Sequence, residues 1–207
     1  MPVLEQVVTA LAVVVALAHP VPQIVRVLRT RSVAGVSGST TWLGCAINVA
    51  WVAYGIARGL LPVAVLSGAY VLGYVIVAVL LVRRGNRRGV GTGMLAATAL
   101  AGLVLVGGWA ALGTVLALAV LPQFLPQVVE AWRADDLTGL APGTYLIAIL
   151  DGVVWGGFGA VAGDRPLVLY GVIMCSVAVA VLVPRYRWAA RQAAAVPGEP
   201  SVRPAVG

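Results

Sequence analysis

The sequence predicts an all-α transmembrane protein, a seven-helix bundle in which a linker helix joins two parallel three-helix repeats. One observation is composition: hydrophobic residues fill 61% of the 207 positions, charged residues fill only 10%, and the mean hydropathy is +1.00. Soluble proteins are about one quarter charged, so this composition indicates membrane-spanning segments and leaves no stretch for a second, soluble domain. The other observation is an internal duplication with an offset of 104 residues.

Apolar runs long enough to cross a bilayer, roughly 20 residues each, define the predicted helices. The 43-residue run from 90 to 132 is too long for one span. At about 1.5 Å per residue it would extend roughly 65 Å, about twice the hydrocarbon thickness. We divide it at the paired glycines Gly107 and Gly108. The seven predicted spans are 3–25, 40–57, 62–82, 90–107, 108–131, 143–161 and 166–183.

The basic residues predict the orientation of the bundle. The net charge is +7, and every basic side chain is an arginine. If the N terminus is outside, twelve arginines lie in inward-facing segments and two lie in outward loops. The positive-inside rule then predicts an N terminus outside and a C terminus inside, and it makes the arginines topological anchors rather than a nucleic-acid surface. The inward set is Arg26, Arg29, Arg31, Arg83, Arg84, Arg87, Arg88, Arg133, Arg185, Arg187, Arg191 and Arg203; the outward set is Arg58 and Arg165.

The duplication is visible in residue types that chance apolar matching would not favour. Between positions 22 and 62, 11 of 41 residues are identical to the residue 104 positions later. A three-helix repeat has an odd number of spans, so one extra helix is needed to make the two copies parallel. We therefore predict a first repeat at 1–82, a basic loop and linker helix at 83–106, a second repeat at 107–187 and a disordered cytoplasmic tail at 188–207. The matched pairs include Pro22/Pro126, Gln23/Gln127, Trp51/Trp155, Gly55/Gly159, Gly59/Gly163 and Pro62/Pro166.

Two motifs give the repeats a family resemblance. "PQIVRVLRTRSVAGVS" followed by "WVAYG", and "PQVVEAWRADDLTGLA" followed by "WGGFG", resemble two PQ-loop repeats of the SWEET, SemiSWEET and PQ-loop transporter superfamily. The resemblance covers roughly 3–82 and 107–183. It implies a membrane carrier that works by alternating access, with a substrate site between the repeats near the middle of the membrane.

The Pro-Gln pairs are candidate hinges. A proline inside a helix removes one backbone hydrogen bond and favours a kink, and in a membrane the freed carbonyl needs a partner such as an adjacent amide. Pro22 with Gln23, and Pro126 with Gln127, would then be matched hinges, and the resemblance implies a rocking motion about them. The alternative is a static bend in each helix.

Trp51 and Trp155 are candidate substrate-binding residues. An indole ring can stack on the apolar face of a sugar while its N–H group remains available to hydroxyls, and the resemblance implies that both rings line the central pocket. The alternative is packing or interfacial anchoring, which is common for tryptophan in membrane helices.

The third helix of each repeat departs from the family pattern. Sugar-transporting relatives carry an asparagine five residues after the proline that matches Pro62 or Pro166, and here those positions are Ser67 and Gly171. Serine offers one hydroxyl and glycine offers no side-chain group. Asn48, one turn before Trp51, is the candidate that would compensate from the second helix.

Asp151 is an acidic residue in the middle of a predicted span. Such a residue is costly in a membrane unless it faces water or a partner, so it is a candidate functional group by default. It precedes Trp155 by four residues and shares its helix face. It would couple transport to protons or bind a cationic substrate; a structural role near Gly152 or Asn48 is the alternative.

The leading functional hypothesis is a carrier of mono- or disaccharides, by uniport. The alternatives are a proton-coupled carrier of amino acids or organic cations that uses Asp151, and a membrane receptor or scaffold without transport activity. No catalytic constellation, phosphate-binding loop or metal-ligand cluster is present, so we expect no enzymatic activity, no cofactor and no metal. The expected partners are a small-molecule substrate and membrane lipid, with homo-oligomers allowed and no nucleic acid. The lysine-free, arginine- and alanine-rich composition favours a bacterial plasma membrane.

Overall fold

The structure, a computed structural model, describes residues 10, 29 and 36–195. Over 36–195 it consists of helices joined by short turns, and no strand occurs in this range. Five segments are long and apolar enough to cross a membrane, with the run Val90–Arg133 counted as one of them. The all-α transmembrane class is therefore confirmed, whereas the predicted first span, 3–25, lies outside the described residues. The helices are α1 Gly38–Ala57, α2 Leu61–Arg83, α3 Val90–Leu118, α4 Val120–Arg133, α5 Pro142–Ala162 and α6 Arg165–Ala195.

The offset of 104 residues is present in the structure as well as in the sequence. Helix α5 begins 104 residues after α1, and α6 begins 104 residues after α2. The turns that join these helices also correspond. Gly59 and Gly163 have φ values of 69° and 68°, a left-handed conformation that favours glycine because it has no Cβ. We call the two pairs α1/α2 and α5/α6 the first and second hairpins.

Glycine also allows the two helices of each hairpin to approach closely next to the turn. A Cβ built on Gly55 would lie 2.7 Å from the backbone nitrogen of Ala64, and one built on Gly159 would lie 2.8 Å from that of Val168. Side chains at these two positions would collide with backbone, which explains why the repeats share a glycine here.

The predicted division of the long apolar run is confirmed at Gly108. Its φ and ψ are 71° and −174°, which interrupt the helical path of α3. The part of α3 before Gly108 packs on α1, where Gly93 lies against Trp42. The part after it contacts both hairpins, because Gly113 lies against Tyr54 of α1 and Pro166 of α6. The apolar run therefore consists of two helical segments that meet at Gly108.

The predicted span 108–131 is not one continuous helix, because the chain turns at Ala119 between α3 and α4. Pro122 provides the physical reason. It has no N–H group to bond to the carbonyl of Leu118, four residues earlier, so regular helix is interrupted there. Helix α4 then continues through Pro126 to Arg133.

The last helix is longer than predicted. The sequence predicts a span ending at 183 and a disordered tail at 188–207, yet α6 continues through Pro184 to Ala195. Pro184 leaves the carbonyl of Ala180 without its helical donor, and the Trp132 indole Nε1 donates to that carbonyl at 2.9 Å. The tail prediction thus needs correction for 188–195, and 196–207 lie outside the described residues.

Two hydrogen bonds hold this extension against the 134–141 loop, and a cation–π contact within the extension accompanies them. The Arg185 guanidinium donates from Nε to the Leu140 carbonyl at 3.2 Å. The Trp188 indole donates to the Asp135 carbonyl at 3.0 Å, and Arg185 lies 4.9 Å above the Trp188 ring. These side-chain hydrogen bonds join α6 to a loop that is remote in sequence. Helix propensity alone would not predict them.

The central core lies between the two hairpins. Its buried members come from α1, α2, α3, α5 and α6, so residues of both repeats pack on one another rather than each repeat having a separate core. This cluster surrounds the cavity described below. Its buried residues are Ala50, Tyr54, Leu60, Val63, Leu112, Leu116, Trp155, Phe158 and Leu167.

Candidate functional site

A cavity of about 110 Å³ lies between the two hairpins. Helices α1 and α2 contribute one wall and helices α5 and α6 contribute the other. Four of the sequence-predicted binding residues line it. The lining residues are Asn48, Trp51, Val63, Leu66, Ser67, Tyr70, Trp155, Leu167 and Tyr170.

The two tryptophans of the repeat converge on this cavity, one from each hairpin. Trp155 is 4% exposed and meets Phe158 edge to face, whereas Trp51 is partly exposed and meets Tyr54 and Tyr170 edge to face. Within 36–195 neither indole N–H group donates a hydrogen bond to the protein. Both rings therefore combine an apolar face with a donor that a ligand could use.

Most of the polar groups at the cavity come from the first hairpin. The Asn48 amide donates to its own helix at the Gly44 carbonyl, at 2.9 Å, which leaves its oxygen as an acceptor. Ser67 is 6% exposed, and Tyr70 follows it by three residues on the same face of α2. Among the described residues no hydrogen bond engages either hydroxyl. The site can thus offer both donors and acceptors to a polar, uncharged solute.

Asp151 reaches the cavity through Tyr170. The Tyr170 hydroxyl donates to the Asp151 carboxylate at 2.7 Å, and Tyr170 itself lines the cavity. Asp151 is half-buried and also interacts electrostatically with Tyr70. The carboxylate therefore lies directly behind the tyrosine wall of the site.

Gly171 is not among the lining residues, and the structure places it in the contact between α5 and α6. A Cβ built on Gly171 would collide with the Gly152 carbonyl oxygen and with Gly156. The counterparts of Gly152 and Gly171 in the first hairpin are Asn48 and Ser67, which do line the cavity. At these matched positions the first hairpin therefore supplies polar groups and the second supplies close backbone packing.

We expect the substitution Gly171→Ala to lower the free energy of unfolding by about 1–3 kcal/mol, because the new methyl group meets backbone that cannot move aside. Thermal unfolding of the purified protein in detergent measures this effect. Gly157→Ala is the matched control on α5, since nothing lies within 4 Å of a Cβ at Gly157. Equal melting temperatures for the two variants would contradict a packing role for Gly171.

The candidate hinge residues stand apart from the cavity. Pro126 lies inside α4, and both Pro126 and Gln127 are exposed. Within 36–195 the Gln127 amide makes no hydrogen bond to the carbonyl that Pro126 frees. Pro22 and Gln23 lie outside the described residues. The hinge assignment thus stays a prediction for all four residues.

A buried polar contact lies near the turns of the two hairpins. The hydroxyl of Tyr54, which is fully buried, donates to the Asp164 carboxylate at 2.6 Å. The other carboxylate oxygen accepts the Leu167 backbone N–H at 3.1 Å, which caps the first turn of α6. Arg58 approaches the carboxylate at 3.6 Å from a half-exposed position. This contact joins the first hairpin to the second.

Sequence reasoning missed three groups of the site, Tyr170, Tyr70 and Asp164. None of them obeys the repeat: their counterparts are Leu66, Met174 and Leu60. A search based on matched pairs therefore passes over them. One local pattern could have identified Asp164 as the residue that caps a helix. It directly precedes a predicted helix that carries a proline in its first turn.

Comparison with protein-family models matches residues 4–64 to the PQ loop repeat. This segment contains the first Pro-Gln pair together with Trp51 and the turn at Gly59. No curated protein matches the chain. The match confirms the family resemblance for the first of the two motifs: residues 4–64 are similar to a PQ loop repeat.

Proposed function

We propose that this protein is a small-solute carrier that moves a sugar across the membrane by alternating access, without ion coupling. The observation that carries the proposal is the cavity between the two hairpins. It combines two indole rings with donors and acceptors that no residue within 36–195 engages. Aromatic faces beside uncharged hydrogen-bonding groups suit the alternation of C–H and O–H groups on a sugar ring.

The proposed architecture is a three-plus-one-plus-three bundle with the N terminus outside, in a bacterial plasma membrane. The matched starts of the two hairpins and the interruption at Gly108 support two parallel repeats joined by a linker helix. With this orientation, the Tyr54–Asp164 contact lies on the outer side of the cavity. Opening toward the outside then requires the separation of these two side chains, and the Pro-Gln pairs supply the bending on the opposite side.

A second candidate is a carrier of organic cations or amino acids that is driven by protons. The observation that favours it is the Asp151 carboxylate, which bonds to a tyrosine of the cavity wall. A carboxylate within reach of a membrane cavity can pair with an ammonium group or exchange a proton. The two candidates make opposite predictions for an Asp151 variant.

The test is uptake of radiolabelled glucose and sucrose into proteoliposomes, with and without an inward proton gradient, for wild type and Asp151→Asn. Asparagine retains an oxygen that accepts the Tyr170 hydrogen bond, so the cavity wall is preserved while the charge is lost. We expect wild-type sugar uptake that is independent of the gradient and changes by less than about threefold in Asp151→Asn. Uptake that requires the gradient and disappears in Asp151→Asn would favour the second candidate. Absence of uptake of both sugars would overturn the sugar assignment and direct the assay to amino acids.

A further inference from the structure

Tyr170 crosses the cavity from one repeat to the other. Its hydroxyl bonds to Asp151 on α5 at 2.7 Å, and its ring meets Trp51 on α1 edge to face at a centroid distance of 6.2 Å. The side chain is thus held at the hydroxyl by its own hairpin and at the ring by the opposite hairpin. A large side chain held at both ends forms a fixed wall rather than an adaptable one.

The ring has little room to withdraw from the cavity. On one side it packs against a buried cluster formed by Val120 of α4 with Ile173 and Val177 of α6. On the other side it packs against the central core. Displacing the ring would therefore open a void in one of two packed clusters, which is costly.

The matched position in the first hairpin carries a smaller side chain. Leu66 is the counterpart of Tyr170, and it lines the same cavity. At this matched position, therefore, only the second hairpin places an aromatic ring in the cavity wall. Tyr170→Leu would place leucine at this position in both hairpins, whereas Tyr170→Phe would keep the ring and remove only the hydroxyl.

We propose that Tyr170 sets the upper size limit of the binding site, so that the carrier admits a single-ring sugar and excludes a disaccharide. This inference rests on the proposed function and names the substrate class within it. The cavity of about 110 Å³ supports it, since sites for drug-sized ligands occupy roughly 300–1,000 Å³. A second sugar ring about doubles the volume that must be accommodated, and Tyr170 is a large, firmly held side chain in the wall of this small cavity.

The first test compares uptake of radiolabelled glucose and sucrose in proteoliposomes for wild type, Tyr170→Phe and Tyr170→Leu. We expect wild type to prefer glucose by at least about tenfold, a ratio typical of steric discrimination in a fitted pocket. Tyr170→Phe should retain a preference for glucose, whereas Tyr170→Leu should reduce the ratio to within about threefold. Sucrose uptake by wild type at the rate of glucose, or an unchanged ratio in Tyr170→Leu, would overturn the inference.

A second test does not depend on the identity of the substrate. In a background with Cys45→Ala and Cys175→Ala, which removes the free thiols, Ser67→Cys places a reporter thiol in the cavity wall. The probes are methyl methanethiosulfonate and benzophenone methanethiosulfonate, which carries two rings. We expect the methyl reagent to label the reporter thiol both in the protein that retains Tyr170 and in the Tyr170→Leu variant. The two-ring reagent should react at least about tenfold faster when Tyr170→Leu is present.

The outcomes separate this inference from the proposed function. If neither sugar is transported but the two-ring reagent requires Tyr170→Leu, the sugar assignment fails and the size limit stands. If the two-ring reagent labels the reporter thiol as fast in the protein that retains Tyr170 as in the Tyr170→Leu variant, the proposed size limit is wrong whatever the substrate. If the methyl reagent also fails to label, the cavity does not admit small solutes and the inference is likewise wrong.

Discussion

Asp164→Ala is expected to lower the free energy of unfolding by about 3 kcal/mol, because the buried Tyr54 hydroxyl loses its partner and α6 loses its cap. Both side chains are almost completely buried, at 0% and 2% exposure. Arg58 is 48% exposed, so we assign little of the loss to its ion pair. A loss of this size corresponds to a fall in melting temperature of about 6–12 °C, measurable by thermal unfolding in detergent.

Tyr54→Phe is the matched control, because phenylalanine occupies the corresponding position of the second repeat, Phe158. It removes the hydroxyl but keeps the ring and leaves the Asp164 carboxylate bonded to Leu167. We expect a smaller loss, about 1–2 kcal/mol. In the double variant the effects should not add, because both remove the same bond. Additive losses would show that the two side chains are not coupled.

Trp51→Ala is expected to reduce sugar uptake about 100-fold in proteoliposomes. The ring offers an apolar face to the cavity, and loss of its buried area and stacking contact is expected to cost about 3 kcal/mol of binding free energy in the transport cycle. Trp51 is only partly buried, so its removal should disturb folding less than removal of Trp155, which is 4% exposed in the core. Trp51 is therefore the better position for separating binding from stability.

Trp109→Ala provides the control, because this tryptophan is 37% exposed and does not line the cavity. We expect its uptake to remain within about twofold of wild type, as is usual for surface substitutions away from a site. A similar loss in both variants would indicate a general effect of removing tryptophan. Wild-type uptake by Trp51→Ala, with the protein folded, would exclude this ring from the binding site.

The elements that the sequence predicts well are those governed by local rules. Helix bounds follow from apolar length, and the structure places five of the predicted starts within two residues of their positions in α1, α2, α3, α5 and α6. The interruption at Gly108 follows from the conformational freedom of glycine and from the limited thickness of a bilayer. The duplication identified Trp51 and Trp155, whereas Ser67 followed from the family pattern and Asn48 from its position one turn before Trp51; all four line the cavity.

The sequence was less informative where the repeats differ. Asp151 was recognised as unusual, but its bond to Tyr170 depends on how α5 packs on α6. Gly171 was assigned to binding because its family counterpart binds, and the structure shows it in a helix contact with no space for a side chain. The end of α6 was predicted too early, because a proline usually ends a helix and the compensating Trp132 donor lies 48 residues before Ala180.

The sequence by itself therefore determined that this protein is an all-α membrane protein with a duplicated, tryptophan-bearing unit, because apolar length and residue identity at a constant offset are properties of the chain alone. The folded structure was needed to show that Tyr170 bonds to Asp151 at the cavity wall, that Asp164 bonds to Tyr54 of the other hairpin and that Gly171 lies against Gly152 and Gly156. The physical reason is that these roles depend on distances between side chains from different helices. Such distances are set by packing, and no local rule of helix formation encodes them.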